Sequence, residues 1–416
     1  MPKSTARGAP AVMAAELAAL RSLVAAQYDA YLDDLRTLVE VDCGSYTKAG
    51  VDRVGRWTGR FLERLGARVE YVPDERLGDT VVGRFEGRPG APRALLVGHL
   101  DTVFDEGTAA ARPFTTRDGR AHGPGVTDMK SGLLAGLYGL LALRALADQA
   151  GTEGHWLPFE RLVFVANPDE EIGSPVSTPV IRAEAAQADV AFVLECARAN
   201  GDIVSRRKGI VDLRLTVRGR AAHAGVEPEK GRNALLEAAH KTLALHGLNG
   251  RWDGVTCNVG VLRGGTRPNV VPDEALLEVD LRAPVRADLE AAEAELRAIA
   301  AAATVPETSC EVEELGRHWP MEKLERSGRL VELAIGLAAE LGFELRDAAT
   351  GGASDANTTA GMGVPTLDGL GPIGGLDHSP GEYLELDSIV PRVTLLAALL
   401  LATARDPVVA AWARRG

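Results

Sequence analysis

Five short motifs set acids or histidines where chemistry could occur. Val97-Gly98-His99-Leu100-Asp101 places an imidazole two residues from a carboxylate. On extended backbone such residues face the same way, so the acid can orient a ligating histidine. Gly123-Pro124-Gly125-Val126-Thr127-Asp128 ends a turn on an acid, which is also a common way to cap a following helix. Asn167-Pro168-Asp169-Glu170-Glu171 puts three acids after an apolar run, where they must meet water or cations. One carboxylate there could bind metal while its neighbour holds an attacking water; a solvated acidic loop is the ordinary alternative. Leu194-Glu195-Cys196 ends an apolar run on a charge, and Gly374-Gly375-Leu376-Asp377-His378 carries a histidine in a glycine-rich loop. Each motif alone has an ordinary structural use. Together they form a nitrogen and oxygen donor set without thiolate, the kind a hydrolytic zinc pair uses. Two metals about 3.5–4 Å apart can share one bridging carboxylate.

Such residues need a frame. Ala94-Leu95-Leu96-Val97, Leu162-Val163-Phe164-Val165 and Val190-Ala191-Phe192-Val193-Leu194 read as buried strands, and three motifs sit at their ends. In parallel sheets, sites form beyond the carboxyl ends of strands. Helical spacing covers residues 12–40, 51–65 and 133–146. The alternation predicts an α/β catalytic domain with a mostly parallel central sheet. The pattern changes near residue 210. Strands are expected around 210–217, 255–262, 275–281 and 310–315, with helices at 233–246 and 287–302. That β-α-β-β-α-β order predicts an inserted two-layer domain. Val211, Leu213, Leu215 and Val217 share one face, while Glu278, Asp280 and Arg282 turn away from Leu277, Val279 and Leu281. The expected division is residues 1–207 and 319–416 for the catalytic domain and 208–318 for the insertion.

Composition bounds the function. The 416 residues are 46% hydrophobic and 25% charged, as in ordinary soluble globular proteins. A net charge of −12 argues against nucleic acid as the main partner. The basic segment Ser205-Arg206-Arg207-Lys208 reads as a solvated hinge or strand face. Cys43, Cys196, Cys257 and Cys310 form no C-x-x-C pair; reduced buried thiols and a cytoplasmic location fit. Near the N-terminus, with Lys3 and Arg7, Glu16 interrupts the apolar stretch and argues against a secretory signal. The apolar run 395–401 is too short to span a bilayer and reads as a buried helix, so no membrane partner is expected.

The order of the motifs resembles the co-catalytic di-zinc family of glutamate carboxypeptidase, aminoacylase, acetylornithine deacetylase and succinyl-diaminopimelate desuccinylase. In motifs it is nearest to glutamate carboxypeptidase. The resemblance spans residues 39–402 and includes the insertion, which in that family is a lid and usually a dimerisation domain. It implies two zinc ions per subunit, with cobalt or manganese as possible substitutes. It implies His99, Asp128, Glu171, Glu195 and His378 as ligands, Asp128 bridging, and a cis peptide after Asp128. Glu170 becomes the catalytic base and Asp101 the acid that orients His99. In the lid, Arg220-Ala221-Ala222-His223-Ala224-Gly225 makes His223 a catalytic residue that polarises the scissile carbonyl, generally from the partner subunit. Arg267-Pro268-Asn269 and Val279-Asp280-Leu281-Arg282 make Asn269 and Arg282 substrate-binding, Arg282 for a free carboxylate. Thr350-Gly351-Gly352-Ala353-Ser354-Asp355 resembles the loop near that carboxylate, through Gly351 and Gly352.

Two positions depart from the commoner pattern: Cys43-Gly44-Ser45, which touches no ligand in this reading, and Ser131, which stands where many members have Gly. His122, His155, His240, His246 and His318 take no role. The implied reaction is amide hydrolysis by a water held between the two metals, on a small amide or short peptide with a free carboxylate. A carboxypeptidase releasing glutamate or a similar residue comes first, with an N-acyl-amino-acid deacylase or dipeptidase as the alternative. A non-catalytic binding protein of the same fold is the reading from another class. The presence of Glu170 and of all five ligands opposes it.

Overall fold

Six strands build the central sheet, and the computed structural model describes them within residues 12–151 and 155–413. The reading of the N-terminal segment around Lys3 and Arg7 falls outside the described residues. The strands are β1 (Arg68–Val72), β2 (Thr80–Glu86), β3 (Arg93–His99), β4 (Arg161–Asn167), β5 (Val190–Val193) and β6 (Thr366–Leu367), in the spatial order β1-β2-β4-β3-β5-β6. The pairs β3/β4, β3/β5 and β5/β6 are parallel. The β1/β2 and β2/β4 pairs are antiparallel, so the sheet is mixed, with an antiparallel flank. β3, β4 and β5 are apolar along their lengths because helices cover both faces, whereas Arg84 interrupts β2. Register aligns His99 with Asn167, so β3 and β4 end side by side.

The chain forms two compact units. One takes the described residues up to Ser205, then Lys323–Ala349 and those from Ser354 onward; the other takes Arg206–Glu322 with Thr350–Ala353. In the first unit, helix Ser131–Gln149 is apolar nearly all round and buried, packing against Ile389–Arg405 and Ala14–Ala26. The stretches Val126–Gln149 and Leu386–Arg405 are long and apolar enough to cross a membrane, yet 67% and 78% of their apolar windows are buried in this unit. The expected buried helix at 395–401 is thus the middle of a longer core helix. A second small sheet in this unit pairs Gly374–Gly375 with Tyr383–Glu385, and the latter with Arg120–His122. It brings the loop carrying His378 beside the turn carrying Asp128.

The second unit has the expected order: strand Gly209–Arg218, helix Ala234–His246, strands Thr256–Gly264 and Glu274–Ala283, helix Arg286–Ala301 and strand Ser309–His318. Its antiparallel sheet runs in the order 256–264, 274–283, 209–218, 309–318. Val211, Leu213, Leu215 and Val217 are all fully buried in its core with Leu277, Val279 and Leu281.

Candidate active site

The carboxyl ends of β3, β4 and β5 converge on the acids and histidines of the motifs. His99 closes β3; its Nε2 lies 3.0 Å from Asp128 Oδ1 and 3.8 Å from Glu195 Oε1. His378 Nε2 lies 3.1 Å from the other Asp128 oxygen, Oδ2, and 3.1 Å from Glu171 Oε2. Asp128 therefore turns one oxygen to each imidazole, and each imidazole meets a different glutamate. It caps no helix: the helix after it starts at Ser131, and the Asp128–Met129 peptide is cis, as the resemblance implies. His99, Glu170 and Glu195 form one group able to hold an ion, and His99, Asp128 and Glu171 another.

Asp101 ties this cluster together. His99 Nδ1 is 3.0 Å from the Asp101 backbone oxygen and 3.4 Å from its carboxylate. The same buried carboxylate accepts the Glu170 and Glu171 amides at 3.2 Å each and the Ser45 hydroxyl at 2.6 Å. One acid thus orients both the histidine and the loop that carries the adjacent glutamates. Asp169 folds that loop by accepting the amides of Val176 and Ser177. The Ser174 hydroxyl, from the same loop, donates to Asp355 Oδ1 at 2.6 Å. His378 lies at the rim with φ 60, a left-handed backbone that costs a non-glycine residue about 1–3 kcal/mol and collects at functional sites.

Ser45, Asp355 and Glu382 were not singled out as site residues in the sequence. Ser45 touches Asp101, which orients His99 and is not itself among the predicted ligands. Glu382 is buried and accepts backbone N–H groups from the Asp128 turn. The only available sequence signal is a polar residue close to a ligand motif. His122 meets the Glu382 backbone oxygen at 3.2 Å and takes no place in the cluster.

Crowding shapes the electrostatics. Burial pushes Glu170 well above the usual carboxylate range, and the neighbouring Glu195 charge adds to this. Burial also raises Glu171, and it lifts Asp355 to about 6. Burial opposes the charge on His99, yet its bonds to Asp101 and Asp128 raise it well above ordinary imidazole. Asp128 is also penalised by burial, but the two histidines hold it below the usual range. His378 rises to about 10 through its bonds to Asp128 and Glu171.

The cluster suits divalent metal. Four carboxylates and Asp101 surround two imidazoles, an excess of negative charge that is costly out of water without a cation. Glu171 Oε1 is buried and finds no hydrogen-bond partner among the described residues. Imidazole with carboxylate is a donor set for zinc and its neighbours. A separate cavity of about 490 Å³ sits at the amino ends of the strands, near Trp156, His155 and Arg405. It shares no residue with this cluster.

The remaining predicted residues lie in the second unit, in two groups. The Ala224 amide donates to the Asn269 carbonyl at 3.0 Å, and His223 bridges to Val270, so these two motifs are adjacent. The Gly225 amide donates to His223 Nδ1 at 3.1 Å; a neutral ring then carries its proton on Nε2. Arg282 meets Gly351: its Nη1 donates to the Gly351 carbonyl at 2.9 Å. Asp280 takes Nε and Nη2 of the same guanidinium. Gly352 accepts from Arg207.

Known proteins resemble this chain over most of its length. Carboxypeptidase G2 of Pseudomonas sp. (strain RS-16) is 29% identical over 377 residues, 89% of each chain. A succinyl-diaminopimelate desuccinylase of Dechloromonas aromatica (strain RCB) is 26% identical, covering 82% of this chain and 90% of its own. Among solved structures, aminopeptidase PepT from Bacillus cereus ATCC 10987 superposes with a TM-score of 0.73 at 22% identity, covering 89% of this chain and 97% of its own. Residues 95–402 match the family described as Peptidase family M20/M25/M40. Since that span holds every acid and histidine of the cluster from His99 to His378, the chain belongs to peptidase family M20/M25/M40 and is a hydrolase of that family.

Proposed function

We propose that this hydrolase uses two divalent ions, zinc first among them, to cleave an amide beside a free carboxylate, and that it is a carboxypeptidase releasing a C-terminal residue such as glutamate. The division of Asp128 between two histidine–glutamate pairs carries the reading. His99 and Glu195 would hold one ion, His378 and Glu171 the other, with Asp128 available to both. When bound, the pair polarises the scissile carbonyl and lowers the pKa of water. Glu170 accepts the proton of the attacking water as its oxygen bonds to the carbonyl carbon. The C–N bond then breaks, and Glu170 delivers the proton to the leaving amine. Asp101 keeps His99 and the Glu170 loop in register.

The lid residues supply substrate contacts. With Nδ1 accepting from Gly225, His223 offers Nε2–H to the developing oxyanion. Asp280 and Gly351 use three of the five Arg282 N–H donors, leaving one on each terminal nitrogen for a substrate carboxylate. Asn269, Gly351 and Gly352 complete the substrate contacts. The unit 206–322 serves as lid and dimerisation domain. Thr256–Gly264 is an edge strand whose Cys257 N–H and C=O are taken by the Asn249 side chain, while Leu262 on it and Leu243 on the nearby helix are exposed. His223 then comes from the partner subunit. The four free thiols accord with a cytoplasmic location.

The likeness to carboxypeptidase G2 over most of both chains favours C-terminal release. The likeness to a desuccinylase supports an N-acyl-amino-acid deacylase as the second reading, with dipeptidase beside it. The test is a panel of N-acyl-glutamates, N-acetyl amino acids and dipeptides on zinc-loaded protein, read by mass. Release of glutamate from acyl conjugates is expected. Turnover confined to N-acetyl amino acids selects the deacylase, and none on any carboxylate-bearing amide overturns the proposal.

A further inference from the structure

Glu382 lies four residues after His378 and is 1% exposed. Its Oε2 accepts the Gly125 amide at 2.9 Å, and its Oε1 accepts those of Thr127 at 2.9 Å and Asp128 at 3.1 Å. Both oxygens are thus committed to the short turn that presents Asp128. The turn is demanding. Gly125 has φ 71, and a Cβ there would stand 2.5 Å from Thr102 Cγ2. The buried Lys130 ammonium closes its far end by donating to the Pro124 and Val41 carbonyls. The His378 loop is equally fixed. Tyr383 pairs with His122 in the small sheet, and Gly374 lies so near Thr127 that a Cβ would fall 2.0 Å from its hydroxyl.

We propose that Glu382 is a positioning residue for Asp128, resting on the reading of Asp128 as the shared metal ligand. One segment, residues 378–382, supplies the histidine facing Asp128 Oδ2 and also the carboxylate that grips the Asp128 backbone. The spacing between these two ligands is therefore set by a single rigid piece. A glutamine in place of Glu382 would turn an NH₂ towards at least one backbone N–H, donor against donor. The acid type, and not only its volume, is required.

The test compares wild type with Glu382→Gln in three readouts. These are zinc affinity by chelator competition, the visible absorption bands of the cobalt-substituted protein, and kcat against KM on the best substrate of the amide panel. The variant is expected to bind zinc about 10–100-fold more weakly, as outer hydrogen-bond partners of metal ligands commonly do. Its cobalt bands shift, and kcat falls with KM nearly unchanged. Zinc affinity and cobalt bands equal to wild type overturn the proposal. Should Glu382→Gln not fold, Glu382→Asp decides: it keeps the charge but shortens the reach, and wild-type zinc affinity in it overturns the proposal equally. If wild type itself fails to take up two ions, the shared-ligand reading falls, an outcome distinct from a wild type that binds two and a variant that matches it.

Discussion

Asp128 has two oxygens and a histidine against each, and Glu170 stands beside them without being needed to hold either imidazole. Glu170→Ala is therefore expected to keep its metal content, measured by atomic emission, while kcat falls about 10²–10⁴-fold, the usual scale for a lost general base. Ser45→Ala removes the hydroxyl from Asp101 and is expected to weaken zinc binding about tenfold in a chelator competition. At this scale the sequence exposed the acids and histidines that converge, because type and position at a strand end carry chemical meaning. It did not expose Ser45, Asp355 or Glu382. These residues act by hydrogen bonds to partners 56, 181 and more than 250 positions away, and nothing in a serine or a glutamate marks such a partner. The cis peptide was reachable only through family resemblance.

Among the elements, β3, β4 and β5 were legible because each is an apolar run buried on both faces. The flank strand β1 was not, since exposed Arg68 and Glu70 alternate with half-buried Val69 and Tyr71 over five residues only, too short a stretch for the alternation to stand out and no apolar run at all. The strands of the small sheet span two or three residues, too few to show any period. Two predictions belong here. A Cβ on Gly132 would lie 1.8 Å from the Leu194 carbonyl, so Gly132→Val should push the helix off the end of β5. Lower thermal stability and weaker metal binding together are the expected result. In the second unit, buried Lys241 pairs with buried Glu237 and donates to the carbonyls of Ile299, Ala300 and Ala302, closing the end of helix Arg286–Ala301. Burial alone would raise the Glu237 carboxyl, but the Val305 amide and Lys241 hold it below the ordinary value. A depressed carboxylate stabilises the fold fully above its unfolded pKa and loses that contribution as pH falls through the folded value. Unfolding followed from pH 7 down to pH 3 should show that loss, and Glu237→Gln should flatten it. Lys241→Met strands the acid and is expected to cost about 3–5 kcal/mol by denaturant titration.

For the whole molecule, two consequences of the proposed chemistry can be measured. Ions that bind only the folded state stabilise it, by about 4 kcal/mol at a thousandfold excess over Kd, so chelation should lower the unfolding midpoint. If His223 serves the partner subunit, a mixed dimer of Glu170→Ala with His223→Ala regains one site with both residues intact. Activity should then reappear on mixing; verified heterodimers without activity would sink the shared site. The order of the motifs carries a last implication. His99, Asp128, Glu171 and Glu195 are synthesised before the second unit, and His378 and Glu382 after it. A ribosome must translate the whole insertion, then strand β6, before the partner of Asp128 Oδ2 exists. The growing chain therefore carries the first acids of the centre unpartnered by His378 while residues 196–377 are added, and the second ion of the proposed pair could be loaded only after His378 has been made.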